Sequence, residues 1–158
     1  MPTNSANALA QIYNFRAFGP KLATAGQPTE EQFESIQAAG FRAVINLALP
    51  TSDNAISHEG SVVTRLGMAY VHIPVDFRAP TSKDFQTFSL LMEAFADRPV
   101  FVHCAANMRV SAFVFLYRVL HLGVAAEEAQ LDLKAIWQPD DIWGQFIRDE
   151  LKGAETAR

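Results

Sequence analysis

PVFVHCAANMRVS, residues Pro99–Ser111, opens as an apolar strand and closes as the start of a helix. Val100–Val102 carries the strand to His103 and to Cys104, the only cysteine of the chain. Ala105, Ala106, Asn107 and Met108 then separate Cys104 from Arg109, and a strongly apolar run with helical character follows from Val110 to Leu122. A strand feeding a short loop that opens a helix makes an oxyanion site, because the loop and first-turn N–H groups have no intrahelical partners. The thiol at the start of the loop adds a nucleophile, and the guanidinium at its end adds a planar clamp for a tetrahedral anion.

Outward from this stretch, the chain alternates strand-like and helix-like segments. Ile12–Phe18 alternates apolar residues with Asn14 and Arg16 before Gly19-Pro20, which predicts a short strand and turn, with Leu22–Ala25 as its hairpin partner. Thr29 and Gln32 form a capping box that starts a helix ending near Gly40. Phe41–Leu49 and Tyr70–Val75 are apolar runs of strand length and read as buried strands, with a weakly periodic helix over His58–Leu66 between them. Thr81 and Asp84 cap a helix whose apolar face uses Phe85, Phe88, Leu91, Met92 and Phe95. Beyond the Cys104 loop, helices are expected over Val110–Leu122, Ala125–Trp137 and Asp140–Leu151, with Asp140 as an N-cap in WQPDD. The pattern predicts an α/β fold, a central mostly parallel sheet flanked by helices, with ligands beyond the carboxyl ends of its strands.

One domain over residues 9–152 accounts for the length, with 1–8 and 153–158 as mobile ends. The apolar share of 49% and charged share of 19% are those of a folded globular protein. A net charge of −4 without a basic run excludes counterion-releasing binding to nucleic acid and attraction to anionic membranes, yet permits a small phosphate ligand. A lone cysteine fits a reducing compartment, MPTNSANALA has no secretory features, and Ala112–Leu122 is too short to span a bilayer, so a cytoplasmic location is expected. The histidines lack metal-ligand spacing and no glycine-rich nucleotide loop is present, so neither metal nor cofactor is expected. Oligomeric state is not legible.

Within the loop, His103, Arg109 and the helix N-terminus each favour a thiolate at Cys104. His103 is expected to orient Cys104 through hydrogen bonds, since neighbouring strand residues face opposite sides. Expulsion of an alkoxide or phenoxide needs a general acid. Asp76 follows a strand end in the segment VDFRAPTSKD, lies in a loop able to close over the site and has no legible capping duty; Asp84 ranks behind it because it belongs to a helix cap. Asn46, polar within an apolar strand, is expected to serve structural hydrogen bonding. Trp137, Trp143 and Phe146 are expected in the core.

HCAANMRVS after a strand, with HIPVD upstream, resembles the cysteine-dependent protein tyrosine and dual-specificity phosphatase superfamily. TAGQPTEEQFESIQAAGFRAVINL and YVHIPV look like its bacterial phosphatase-like branch related to the beta-lactamase-hydrolase-like family, over roughly Leu22–Phe115. The resemblance implies hydrolysis of phosphomonoesters, on a phosphoprotein or a small phosphoester, through a phosphocysteine at Cys104. Arg109 would then be the phosphate clamp and Asp76 the acid, with His103, Ala105, Ala106, Asn107, Met108, Val110 and Ser111 as substrate-binding positions. The superfamily signature has five residues between Cys and Arg, followed by Ser or Thr; here four intervene and Val110 follows, with Ser111 one place on. The loop's usual glycine is also absent, and Asn107 is the residue best able to take a left-handed conformation in its place. The four-residue spacing resembles that of some rhodanese-like sulfurtransferases. Persulfide-forming sulfur transfer is therefore the alternative enzyme, and a catalytically weak phospholigand-binding module the alternative outside catalysis.

Overall fold

The computed structural model describes the backbone of residues 2–156 and the side chains of residues 6–156. Five strands form one sheet in the order β1-β2-β5-β3-β4. They are β1 (Arg16–Ala17), β2 (Leu22–Ala25), β3 (Ala43–Asn46), β4 (Ala69–His72) and β5 (Val100–His103). Only β1 runs antiparallel; β2, β5, β3 and β4 are mutually parallel. The architecture is the expected α/β sandwich, a mostly parallel sheet flanked by helices.

The period-two alternation of the strands divides the core into two. On one side, Val100, Val102 and Cys104 pack with Ala43, Ile45 and Leu47 against α4 (Ser82–Ala94), α5 (Met108–His121), α6 (Ala126–Ile136) and α7 (Asp141–Thr156). On the other, Phe101 and Val44 pack with Phe33 and Ile36 of α2 (Glu30–Ala38) and Val63 of α3 (Glu59–Arg65). Every residue of α5 from Arg109 to Tyr117 is buried, which explains why this helix is apolar all round. Around it Phe113 touches the rings of Phe85, Phe88, Trp143 and Phe146, and Trp143 is fully buried, in accord with its expected core role.

The helix caps follow the sequence signals. Thr29 and Gln32 make the reciprocal capping box of α2. The Thr81 hydroxyl accepts from the Asp84 amide at the start of α4, and the Asp140 carboxylate accepts from the Trp143 amide in the first turn of α7.

Four expectations change. Residues 2–10 form a helix, α1 (Pro2–Ala10), because Leu9 and then Ile12 have apolar surface to bury against the Phe33–Phe101 cluster. The strand expected over Ile12–Phe18 shrinks to Arg16–Ala17, since Asn14 takes a left-handed conformation (φ 51°) that breaks the extended run. The strand expected over Tyr70–Val75 ends at His72 and is only half-buried, because β4 lies at the sheet edge and pairs with β3 alone. At the carboxyl end, α7 continues through Thr156, past the expected boundary at residue 152. Of the ends expected to be mobile, residues 1 and 157–158 lie outside the described residues.

Candidate active site

Cys104 leaves the carboxyl end of β5, the central strand, and is held there by its amide donating to Ala25 O at 3.3 Å. The loop Ala105–Asn107 then turns into α5. Its curvature depends on Asn107, which adopts the left-handed conformation anticipated for it (φ 65°) and caps α5 without a side-chain bond to the helix amides. The first-turn amides of Met108, Arg109 and Val110 therefore have no capping side chain competing for them. Asn107 Nδ2 instead donates to Asn14 O at 2.8 Å and to Thr24 Oγ1 at 3.0 Å, while Asn14 Nδ2 donates to Ala106 O at 3.0 Å. Two left-handed asparagines thus clasp one another across the loop.

Further bonds hold the loop from the other side. Ala105 O accepts from the Gln27 amide at 3.1 Å and from Asn54 Nδ2 at 3.0 Å. Gly26 bridges Ala106, and a Cβ on Gly26 would sit 2.8 Å from Ala105 O and 2.7 Å from the Tyr13 ring. Only glycine permits that approach.

Arg109 is buried. Its Nη1 donates to Val75 O at 3.0 Å, and its guanidinium lies 5.8 Å from the centre of the Phe77 ring. Its Nε has no hydrogen-bond partner. Asp76 lies between these two contact residues and is exposed. The structure thus brings Cys104 and Arg109 to the two ends of one loop and sets Asp76 in the chain segment that Arg109 grips.

Asp76 does have a local duty that its sequence context hides: Oδ1 accepts from the Arg78 amide at 2.9 Å. Its segment is also pinned, because Phe77 O accepts from Trp143 Nε1 at 2.7 Å and the Phe77 ring packs on Trp137 and Trp143. Asp84 stays in the first turn of α4.

The remaining loop positions divide. Ala105, Ala106 and Met108 are partly exposed, while Cys104, Asn107 and Val110 are buried. Val110 is fully buried in the main core, and the Ser111 hydroxyl donates to Met108 O at 2.9 Å while accepting from Trp137 Nε1 at 3.1 Å. Both positions belong to α5, whose inward faces bury them.

His103 points to the opposite side of β5 from Cys104, as strand parity requires. Its Nδ1 lies 3.2 Å from Cys104 O and its Nε2 2.6 Å from Glu59 Oε2. Glu59, 4% exposed, is a residue that sequence reasoning missed. Burial by itself would push its carboxyl up; the hydrogen bond and charge of His103, with hydrogen bonds from Gln27 and Tyr70, outweigh burial and hold it below its ordinary value. Burial, together with the nearby Glu59 carboxylate, pushes the Tyr70 hydroxyl up. Asn46 serves this network as expected, accepting from the Ala48 amide at 2.8 Å and donating to Tyr70 OH at 3.0 Å.

Residues 19–142 match the family model described as a DSP-PTPase phosphatase fused to NAD+ kinase. The chain belongs to this phosphatase family. Among solved structures, it is similar to the putative phosphatase (DUF442) from Shewanella putrefaciens CN-32, with 31% identity, a TM-score of 0.84, and 94% of this chain and 97% of that one covered. P. aeruginosa TpbA shares the fold at 16% identity and a TM-score of 0.73, covering 92% and 90% of the two chains, and is also known in complex with phosphotyrosine. The beta-lactamase hydrolase-like protein of Agrobacterium fabrum is 35% identical over 104 residues, 63% of this chain and 24% of that protein. The chain therefore spans about a quarter of the length of this curated relative. Among the described residues, no helix is long and apolar enough to cross a membrane.

Proposed function

We propose that this DSP-PTPase hydrolyses phosphomonoesters through a phosphocysteine on Cys104. The observation that carries the reading is the arrangement of Arg109, a buried cation whose Nη1 is tied to Val75 O and whose Nε is a donor without a partner, one loop away from the only thiol. A phosphoryl group seated over the loop would take that donor and the first-turn amides of α5, whose dipole favours an anion.

In the first step the Cys104 thiolate attacks phosphorus in line. The S–P bond forms, the P–O bond to the leaving group breaks, and the leaving oxygen takes the proton of Asp76. In the second step water attacks the phosphocysteine and gives its proton to the Asp76 carboxylate, and the S–P bond breaks to return thiolate and inorganic phosphate. Asp76 alternates as acid and base, and Arg109 holds the non-bridging oxygens throughout.

The test uses p-nitrophenyl phosphate, phenyl phosphate and phosphotyrosine with wild type, Cys104→Ser and Asp76→Asn. Turnover lost in Cys104→Ser is expected. Because the acid matters more as the leaving group worsens, Asp76→Asn should slow phenyl phosphate far more than p-nitrophenyl phosphate. Persulfide formed on Cys104 from thiosulfate without ester hydrolysis would replace this reading with sulfur transfer. Phosphotyrosine binding that survives Cys104→Ser, with no turnover by wild type, would replace it with a binding module.

A further inference from the structure

The Cys104 loop occupies the carboxyl end of β5; a separate cleft of about 480 Å³ opens at the amino ends of β2 and β5. We propose that this cleft binds a small amphiphilic anion, an acidic head on an apolar body the size of a medium-chain acyl group. Arg118, which lines it, lies nine residues along α5 from Arg109, about 14 Å on the helix axis, so the two sites are distinct.

The floor of the cleft is apolar. Leu22 and Val100 begin the two strands, Met92 lies near the end of α4 and Tyr117 on α5, and all four are buried in the main core. Phe18 and Phe95 line the cleft partly exposed, and Leu122, the residue that ends α5, is left 57% exposed. A large apolar side chain in water beside an apolar floor is surface that a ligand's apolar body would cover.

Charge is distributed just as unevenly. The chain carries a net −4, yet Lys21, Arg98 and Arg118 line the cleft against one acid, Asp132. With Arg16, bound to Asp132 at 2.6 Å, and Asp97, bound to Arg98 at 2.8 Å, four cations face two acids. Glu93, near the end of α4, is engaged with His121 at 3.9 Å and does not line the cleft. Stacking holds both lining guanidiniums in place: Arg98 lies 5.0 Å from the centre of the Phe95 ring and Arg118 4.8 Å from that of Phe18. The carbonyl end of α5 accounts for Arg118, which sits in its last turn and is also bound to Asp132 at 2.6 Å. Lys21 and Arg98 lie outside both helices. Lys21 enters none of the ion pairs among the described residues, and Arg98 is paired only with its exposed chain neighbour, a contact worth little in water. These two cations are therefore open to an acidic head, with the apolar floor beneath them for the body.

Amide chemical-shift mapping of the whole chain tests the site with octanoate, octylammonium and acetate at equal concentrations below micelle formation. Octanoate should give saturable shifts clustered at Lys21, Leu22, Phe95, Arg98 and Leu122, and each of the other probes should bind at least about tenfold more weakly. Lys21→Glu, which reverses the open cation, and Leu122→Asp, which removes apolar cover, should each weaken octanoate by about tenfold. Acetate binding as well as octanoate would overturn the proposal, leaving a diffuse attraction of anions. Octylammonium binding as well would overturn it by showing that the cations play no part. Octanoate shifts scattered over the surface, or an affinity unchanged in both variants, would equally remove the site. The comparison of probes on wild type decides even where a variant fails to fold, and no readout needs turnover.

Discussion

The two faces of the sheet handle buried charge in opposite ways. On the α2 and α3 face, the Glu59 carboxyl is partnered by His103 at 2.6 Å, and Gln27 supplies a further bond at 2.7 Å. On the α5 face, Arg109 is as deeply buried but has no carboxylate partner among the described residues, and its Nε is without any partner. A paired charge is a finished structural element, whereas a lone buried cation is costly unless something anionic completes it. The strand β5 joins the two regimes, placing His103 on one face and Cys104 on the other within adjacent residues.

This contrast can be broken at each face. Arg109→Ala removes the lone cation and should lower kcat/KM for p-nitrophenyl phosphate by about a thousandfold, about 4 kcal/mol of transition-state binding. Chain stability should change far less, and steady-state kinetics beside thermal melts would expose the difference. On the same face, Phe113→Ala empties the centre of the aromatic cluster with Phe85, Phe88, Trp143 and Phe146, costing about 3–4 kcal/mol in urea unfolding.

Across the sheet, Glu59→Ala leaves His103 buried beside an empty position and should cost about 3 kcal/mol near neutral pH. The pH dependence has a definite sign. The folded chain holds the Glu59 carboxyl below its ordinary value of 4.5, so the stability from its ionised form is complete above about 4.5 and fades as pH falls through the depressed value. The stability gap between wild type and Glu59→Gln should therefore narrow on acidification below that point, as read from urea midpoints at several pH values.

The smallest effect is expected at Asp132, which joins Arg16 of β1 to Arg118 of α5 at 2.6 Å each. These pairs are partly exposed, so Asp132→Asn should cost only about 1 kcal/mol and less in high salt.

Much of the fold is legible because its signals are local. Thr29 with Gln32, Thr81 with Asp84, and Asp140 mark helix starts within a single turn, and the apolar run after Arg109 marks the buried α5. Asn107 is legible for the same reason: few residues accept a positive φ, and the loop needs one. Glu59 is not legible, because the charge that stabilises it lies 44 residues away and its own helix is too weakly periodic to mark an inward face. The anchoring of Asp76 is hidden likewise, since it depends on Trp143 reaching back to Phe77 O across 66 residues. The Asn14–Asn107 clasp spans 93 residues and leaves only the break in the Ile12–Phe18 alternation as a trace.

The central claim is that phosphoryl groups pass through Cys104. Acid-quenched turnover of p-nitrophenyl phosphate, followed by peptide mass spectrometry, tests it directly. The account predicts a phosphate adduct confined to Cys104, formed within the first turnover and absent in Cys104→Ser along with all hydrolysis. Hydrolysis that persists in Cys104→Ser, or proceeds in wild type with no adduct on Cys104, would contradict it.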